Sequence, residues 1–175
     1  VVIGKLPLNA HKVIFDIASD RKAPCYSYGK DYLVENVKYD NYGTSFDLIV
    51  TNPEILLPRS VVNLHTNMVG QHQARNAALA IIAYSLFKQR LNQEVDIKVL
   101  RKGLEKVSWM GRMQLIRKEP LTILDCAHNE EGIENLVENL RILYPGKKIR
   151  FVVAILRDKN FSKMIRDMSG IAKKI

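Results

Sequence analysis

Residues 121–156, LTILDCAHNEEGIENLVENLRILYPGKKIRFVVAIL, decide the fold. A short apolar strand, LTILD, ends at Asp125. Asn129 then reads as a helix N-cap, with Glu130 and Glu131 favourably placed in the first turn. Ile133, Leu136, Val137, Leu140 and Leu143 fall on one helical face, and Pro145-Gly146 ends the helix. KKIRFVVAIL is expected to be a buried strand, and NFSKMIRDMSGIAKKI another helix. Strand, helix, strand, helix is the pattern of an open parallel sheet, so the fold class is α/β. Ligands of such sheets sit beyond the carboxyl ends of the strands. Asp125 and His128 stand at such an end. A carboxylate there can accept from a ribose hydroxyl, and an imidazole can hold a carboxylate or an amine.

Upstream the grammar changes. Residues 1–4 read as a buried strand ending at Gly4. LNAHKVIFDIASDRKA has helical spacing at Ala10, Val13, Ile14, Ile17 and Ala18, with Asn9 as the expected cap. After Pro24, aromatic and β-branched residues broken by Gly29 and by DNYG predict strands and turns, and Pro58 favours an edge or bend. QHQARNAALAIIAYSLFKQRL is Ala- and Leu-rich and predicts a largely buried helix, with Ala74, Ala78, Ile81, Ile82 and Leu86 on one stripe. Asp96 caps a second helix. SWMGRMQLIRKEP reads as a turn, a strand and a Pro-marked break. The expected domain boundary lies there, with residues 1–117 before it and 118–175 after.

Composition narrows the function. No run of 18 apolar residues is present, so no transmembrane helix is expected. The chain begins without Met inside what reads as a strand, and is expected to be part of a longer protein. Two cysteines, Cys25 and Cys126, offer no disulfide framework or CxxC pair and fit a reducing, cytoplasmic setting. The net charge is +9, but residues 147–175 hold nine Lys/Arg against two Asp/Glu. These charges are spread along strand and helix patterns without an aromatic stacking platform, which argues against nucleic acid as the partner.

Three further residues carry chemistry. His72 and Asn76 share one face of a helix's first turn. Asn is mildly unfavourable inside an Ala-rich helix, so Asn76 is expected to hydrogen-bond either protein backbone or a purine edge. No second His or acid completes a metal set around His72, and no metal ligand is assigned in this chain. Arg112 follows a glycine at the expected domain junction, and its planar fork suits phosphate. Neither a G-x-x-x-x-G-K-[ST] loop nor a G-x-G-x-x-G motif occurs.

GQHQARNAALAI, VSWMGRMQLI and ILDCAHNEEGIENL occur together and in order, followed by LRDKNF. In this they resemble folylpolyglutamate synthase and the bifunctional dihydrofolate synthase, relatives of the Mur ligases of cell-wall synthesis. The family pattern is G-x-H-Q-x-x-N-A-A-x-A, then W-P-G-R, then D-G-A-H-N-P, then D-K-[DN]. The resemblance implies the remainder of a P-loop-type Mur-ligase central domain followed by part of a Rossmann-like C-terminal domain. The phosphate loop, the carbamoylated lysine and most magnesium ligands would precede Val1. It implies ATP as cosubstrate and ligation of L-glutamate to folate polyglutamate tails or dihydropteroate through an acyl phosphate. The 175 residues alone would be inactive. Asn76 would contact ATP, Arg112 would bridge its phosphates at the hinge, Asp125 would bind the nucleotide, and His128 would serve glutamate. A cytoplasmic monomer working on small molecules, without nucleic acid or membrane, is expected. The alternatives are a Mur-type ligase for a cell-wall precursor and a non-catalytic Rossmann-like module binding anions or nucleic acid. Met110, Cys126 and Glu130 depart from the family's Pro, Gly and Pro.

Overall fold

The structure, a computed structural model, describes all 175 residues. Its elements in chain order are β1 (Val2–Ile3), α1 (Leu8–Asp20), β2 (Tyr26–Ser27), β3 (Tyr32–Asp40), β4 (Gly43–Val50), β5 (Ser60–Thr66), α2 (Gln71–Arg90) and α3 (Ile97–Glu105). There follow β6 (Gln114–Lys118), β7 (Leu121–Leu124), α4 (Glu130–Leu143), β8 (Ile149–Arg150), α5 (Phe161–Ser169) and β9 (Ala172–Lys174). They form two compact units, Val1–Asn67 with Gln71–Val107, and Met68–Gly70 with Ser108–Ile175. The division at Val107/Ser108 precedes the 117/118 boundary read from the sequence. The reason is β6, which pairs antiparallel with β7 from Gln114↔Leu124 to Lys118↔Leu121. Arg117 and Lys118 of RKEP thus lie in β6, and Glu119–Pro120 turn the chain into β7.

In the first unit β3, β4 and β5 form an antiparallel sheet with β4 at its centre, and β1 pairs in parallel with β2. Phe46, Leu48 and Val50 alternate inward along β4 and meet Leu64, Ala74, Ala78, Ile81 and Ile82 in one core. The α2 stripe thus buries as its spacing predicts, with Leu86 packed at the margin. The Tyr32 hydroxyl donates to the Ile3 carbonyl at 2.9 Å, and burial pushes the phenol's pKa up. At the sheet edge, Arg101 of α3 donates to the carbonyls of Val62 and Asn63. That covers acceptors an edge strand otherwise leaves open. Asp96 caps α3 as expected, accepting from the Lys98 and Val99 amides.

Asn9 does not cap α1. The helix begins earlier, with Pro7 in the cap position, and the Asn9 side chain bonds the adjacent Ala10 amide instead. Proline's fixed φ suits a helix entrance, which moves the start ahead of Asn9. Of the α1 stripe only Ala18 is buried.

The second unit pairs α4 with α5. Ile133 and Val137 of α4 close a core with Met164 and Met168 of α5. Outside it Lys163 lies 3.0 Å from Asp167, 3.6 Å from Glu130 and against Glu134. The hydrogen bond to Glu134, then that to Asp167, holds the Lys163 ammonium above its ordinary pKa. The expected helix over NFSKMIRDMSGIAKKI is corrected: α5 ends at Ser169, and Ala172–Lys174 is a strand that pairs in parallel with β8. The expectation of a long buried strand over KKIRFVVAIL is corrected: only Ile149–Arg150 is strand, and Val152, Val153 and Leu156 are exposed. β8 pairs with β9 alone. A strand apolar on both faces needs cover on both faces and neighbours on both edges to bury its length.

Candidate functional site

The β6–β7 hairpin brings two loops together, Gly111–Met113 before it and Asp125–His128 after it. Two hydrogen bonds stitch them, and a third braces the first loop against β6. The Met113 amide donates to Asp125 Oδ2 at 2.8 Å, and the Cys126 amide donates to the Gly111 carbonyl at 2.8 Å. The Gly111 amide in turn donates to Gln114 Oε1 at 2.9 Å. Arg112 is thereby anchored on both sides, while its own side chain is exposed and makes no salt bridge. Two left-handed residues, Gly111 at φ +71 and Met113 at φ +47, give the loop its tight path. Such a conformation is cheap for glycine and costly for methionine.

Asp125 is half-buried and uses both oxygens, Oδ2 for Met113 and Oδ1 for the Ala127 amide at 2.7 Å. Each carboxylate oxygen has two lone pairs, so acceptor capacity remains for a hydroxyl. His128 is exposed, with Nδ1 3.0 Å from the Cys126 carbonyl oxygen. Asn129 caps α4 as expected, accepting from the Gly132 amide at 2.8 Å.

The DKN motif lies at the start of α5. Asp158 pairs with Lys159 at 2.8 Å, and that hydrogen bond holds the Asp158 carboxyl below its ordinary range. Asn160 caps α5 and donates to Glu130 Oε1 at 3.1 Å. Glu130, which stands where the family pattern has Pro, thus ties the start of α4 to the start of α5.

Cys126, which stands where the pattern has Gly, fills the space above Gly111. A Cβ built on Gly111 would overlap Cys126 Sγ. Gly111→Ala is expected to destabilise the second unit by about 1–3 kcal/mol, combining backbone strain with crowding. Adding Cys126→Gly should recover only the crowding part. Urea unfolding of the two variants checks this, and no recovery at all would mean the thiol is not the obstacle.

Asn76 belongs to the first unit. It is exposed on α2 and donates to Gln73 Oε1 at 3.3 Å, while Gln73 Nε2 donates to His72 Nε2 at 3.0 Å. The side chain therefore has a protein partner, with its carbonyl oxygen pointing to no protein donor in that chain of bonds. Sequence reading missed Gln73, Gln114 and the Met113 amide. The signal for Gln73 is its helical spacing to Ala77 and Ile81, with which it is buried. The Met113 amide has none, since its role depends on a left-handed backbone.

The uncommitted Arg112 guanidinium and the remaining Asp125 lone pairs fit a nucleotide, which offers anionic phosphates and ribose hydroxyls. No group of three or more His, Cys, Asp or Glu side chains gathers in the structure.

A family model described as "Mur ligase, glutamate ligase domain" matches residues 111–175. The dihydrofolate synthase/folylpolyglutamate synthase of Bacillus subtilis (strain 168) is 36% identical over 113 residues, 65% of this chain and 26% of that protein. The folylpolyglutamate synthase of Lacticaseibacillus casei is 27% identical over 94% of this chain and 37% of its own length. The chain thus spans only about a quarter to two fifths of the length of these relatives. A solved structure described as an FPGS-AMPPCP-folate complex superimposes with a TM-score of 0.90 at 24% identity, over 100% of this chain and 41% of that one. The folylpolyglutamate synthase of Thermotoga maritima gives a TM-score of 0.74 at 29% identity, over 98% and 38% of the two chains. The matched domain and these relatives place the chain with the Mur ligases, as a part similar to folylpolyglutamate synthase and dihydrofolate synthase.

Proposed function

We propose that the whole protein joins L-glutamate to the carboxylate of dihydropteroate or of a folate glutamyl tail, using ATP. The first unit belongs to the central ATPase domain in this reading, and the second to the Rossmann-like C-terminal domain. A carboxylate is a poor electrophile, and a phosphoryl group from ATP turns its oxygen into a leaving group. Arg112 counters charge on the phosphates, since preorganised cations aimed at developing charge are a dominant source of rate in such transfers. Asp125 accepts from the ribose, Asn76 contacts the nucleotide, and His128 meets glutamate. Magnesium would be held chiefly by residues outside this chain. A cytoplasmic monomer acting on small molecules and not on nucleic acid goes with this reading.

One observation carries it: Arg112 is fixed through Gly111 and Met113 to the backbone and carboxylate of Asp125–Cys126, yet its guanidinium is left uncommitted. A loop held so firmly around an unpaired cation suits a ligand that brings its own negative charge.

A second reading has some support, because a UDP-N-acetylmuramoyl-L-alanyl-D-glutamate--2,6-diaminopimelate ligase of Chlamydia felis is 30% identical over 76% of this chain. The experiment supplies the whole protein with ATP, L-glutamate and, in turn, dihydropteroate, tetrahydrofolate and a UDP-linked muramoyl peptide offered with diaminopimelate. ADP release and product mass are read. Glutamyl products from a pterin acceptor are expected. A product from the muramoyl peptide alone would replace the folate reading with the cell-wall one.

A further inference from the structure

The Cys126 carbonyl decides which nitrogen of His128 holds the proton. Nδ1 lies 3.0 Å from that oxygen. A carbonyl oxygen only accepts, so Nδ1 is the donor, and in the neutral ring the lone pair belongs to Nε2. Nε2 sits at the opposite side of the imidazole, on an exposed side chain, with no protein partner. The anchoring carbonyl is itself held from both sides. The Cys126 amide is bonded to Gly111, and the next amide, of Ala127, to Asp125 Oδ1. A second group fixed in this way sets both the tautomer and the direction of the ring.

We infer that His128 Nε2 takes the proton from the incoming amino acid's α-ammonium, making the free amine that attacks the acyl phosphate. The inference rests on the ligase reading above and deepens it. At neutral pH an amino acid's amine is mostly protonated and has no lone pair to offer. One proton passes from nitrogen to Nε2. The nitrogen lone pair then forms the C–N bond while the carbon–oxygen bond to phosphate breaks. A second N–H proton leaves with the phosphate as HPO4²⁻, and the imidazolium returns its proton to water. Imidazole suits the task because it exchanges protons near neutral pH.

The test compares two nucleophiles in the whole protein carrying His128→Gln, which keeps a hydrogen-bonding amide near Nε2 but cannot take a proton. Hydroxylamine is already neutral near pH 7 and traps an acyl phosphate as a hydroxamate. With saturating L-glutamate, turnover is expected to fall by about 100-fold or more, the lower bound for losing a general base, while ATP-dependent hydroxamate formation stays within about threefold. Retained hydroxamate formation also establishes that the variant is folded. His128→Asn, which keeps a donor to the Cys126 carbonyl, should behave like His128→Gln. Equal losses with both nucleophiles would overturn the inference, placing His128 before the amine step. So would a raised glutamate KM with unchanged kcat, which would make His128 a holder of glutamate only. Absence of hydroxamate from the unsubstituted protein is a distinct result, and it would overturn the acyl-phosphate reading together with this one.

Discussion

Asp125→Ala is expected to lower the stability of the second unit by about 2–4 kcal/mol, since two backbone donors lose a charged acceptor at once. Met113 and Ala127 are those donors, at 2.8 and 2.7 Å. Both lie in loops with no strand partner to replace the carboxylate. Asp125→Asn keeps one acceptor oxygen and should fall between the two. Urea midpoints of the three proteins measure this at equal m-value. In the whole protein the same change should raise the ATP KM, because Met113 holds Arg112 in place from one side. If stability is untouched while the ATP KM rises, Asp125 is a ligand contact only and the stitched-loop description is wrong.

This double duty was only half legible in the sequence. Asp125 could be read as a strand-end acceptor from LTILD alone. Its role in holding the Gly111–Met113 loop could not, because it depends on the Gln114↔Leu124 register and on a left-handed Met113. Caps such as Asp96 and Asn129 were readable, since they act on amides two or three residues away. The α2 stripe was readable because helical burial repeats within a few residues. KKIRFVVAIL misled because an apolar run records a tendency to be covered, whereas covering depends on neighbours. Cys126 and Glu130 read as departures from a pattern, and the structure gives both a contact that pattern alone does not contain.

Gly43→Ala is expected to cost the first unit about 3 kcal/mol, at the upper end of overpacking. A Cβ at residue 43 would meet two ring atoms of His65 at 2.8 Å and press still closer on the Thr66 carbonyl oxygen. The ring can turn away, but the carbonyl belongs to β5, whose register with β4 includes Thr44↔Thr66 and Ser45↔His65. His65 is also tied to Ser45, with Nδ1 and Oγ 3.1 Å apart. Gly43→Ala with His65→Gly should therefore remain strongly destabilised. Full recovery in that double variant, measured by urea unfolding, would mean the side chain and not the strand backbone is the barrier.

The most direct measurement of the central claim follows an oxygen atom. The acceptor carboxylate of dihydropteroate or of a folate glutamyl tail is labelled with ¹⁸O and incubated with the whole protein, ATP and L-glutamate. An acyl phosphate requires that one labelled oxygen leave with each inorganic phosphate, in step with amide formation. Label found in AMP, or phosphate released without label while product forms, would contradict it.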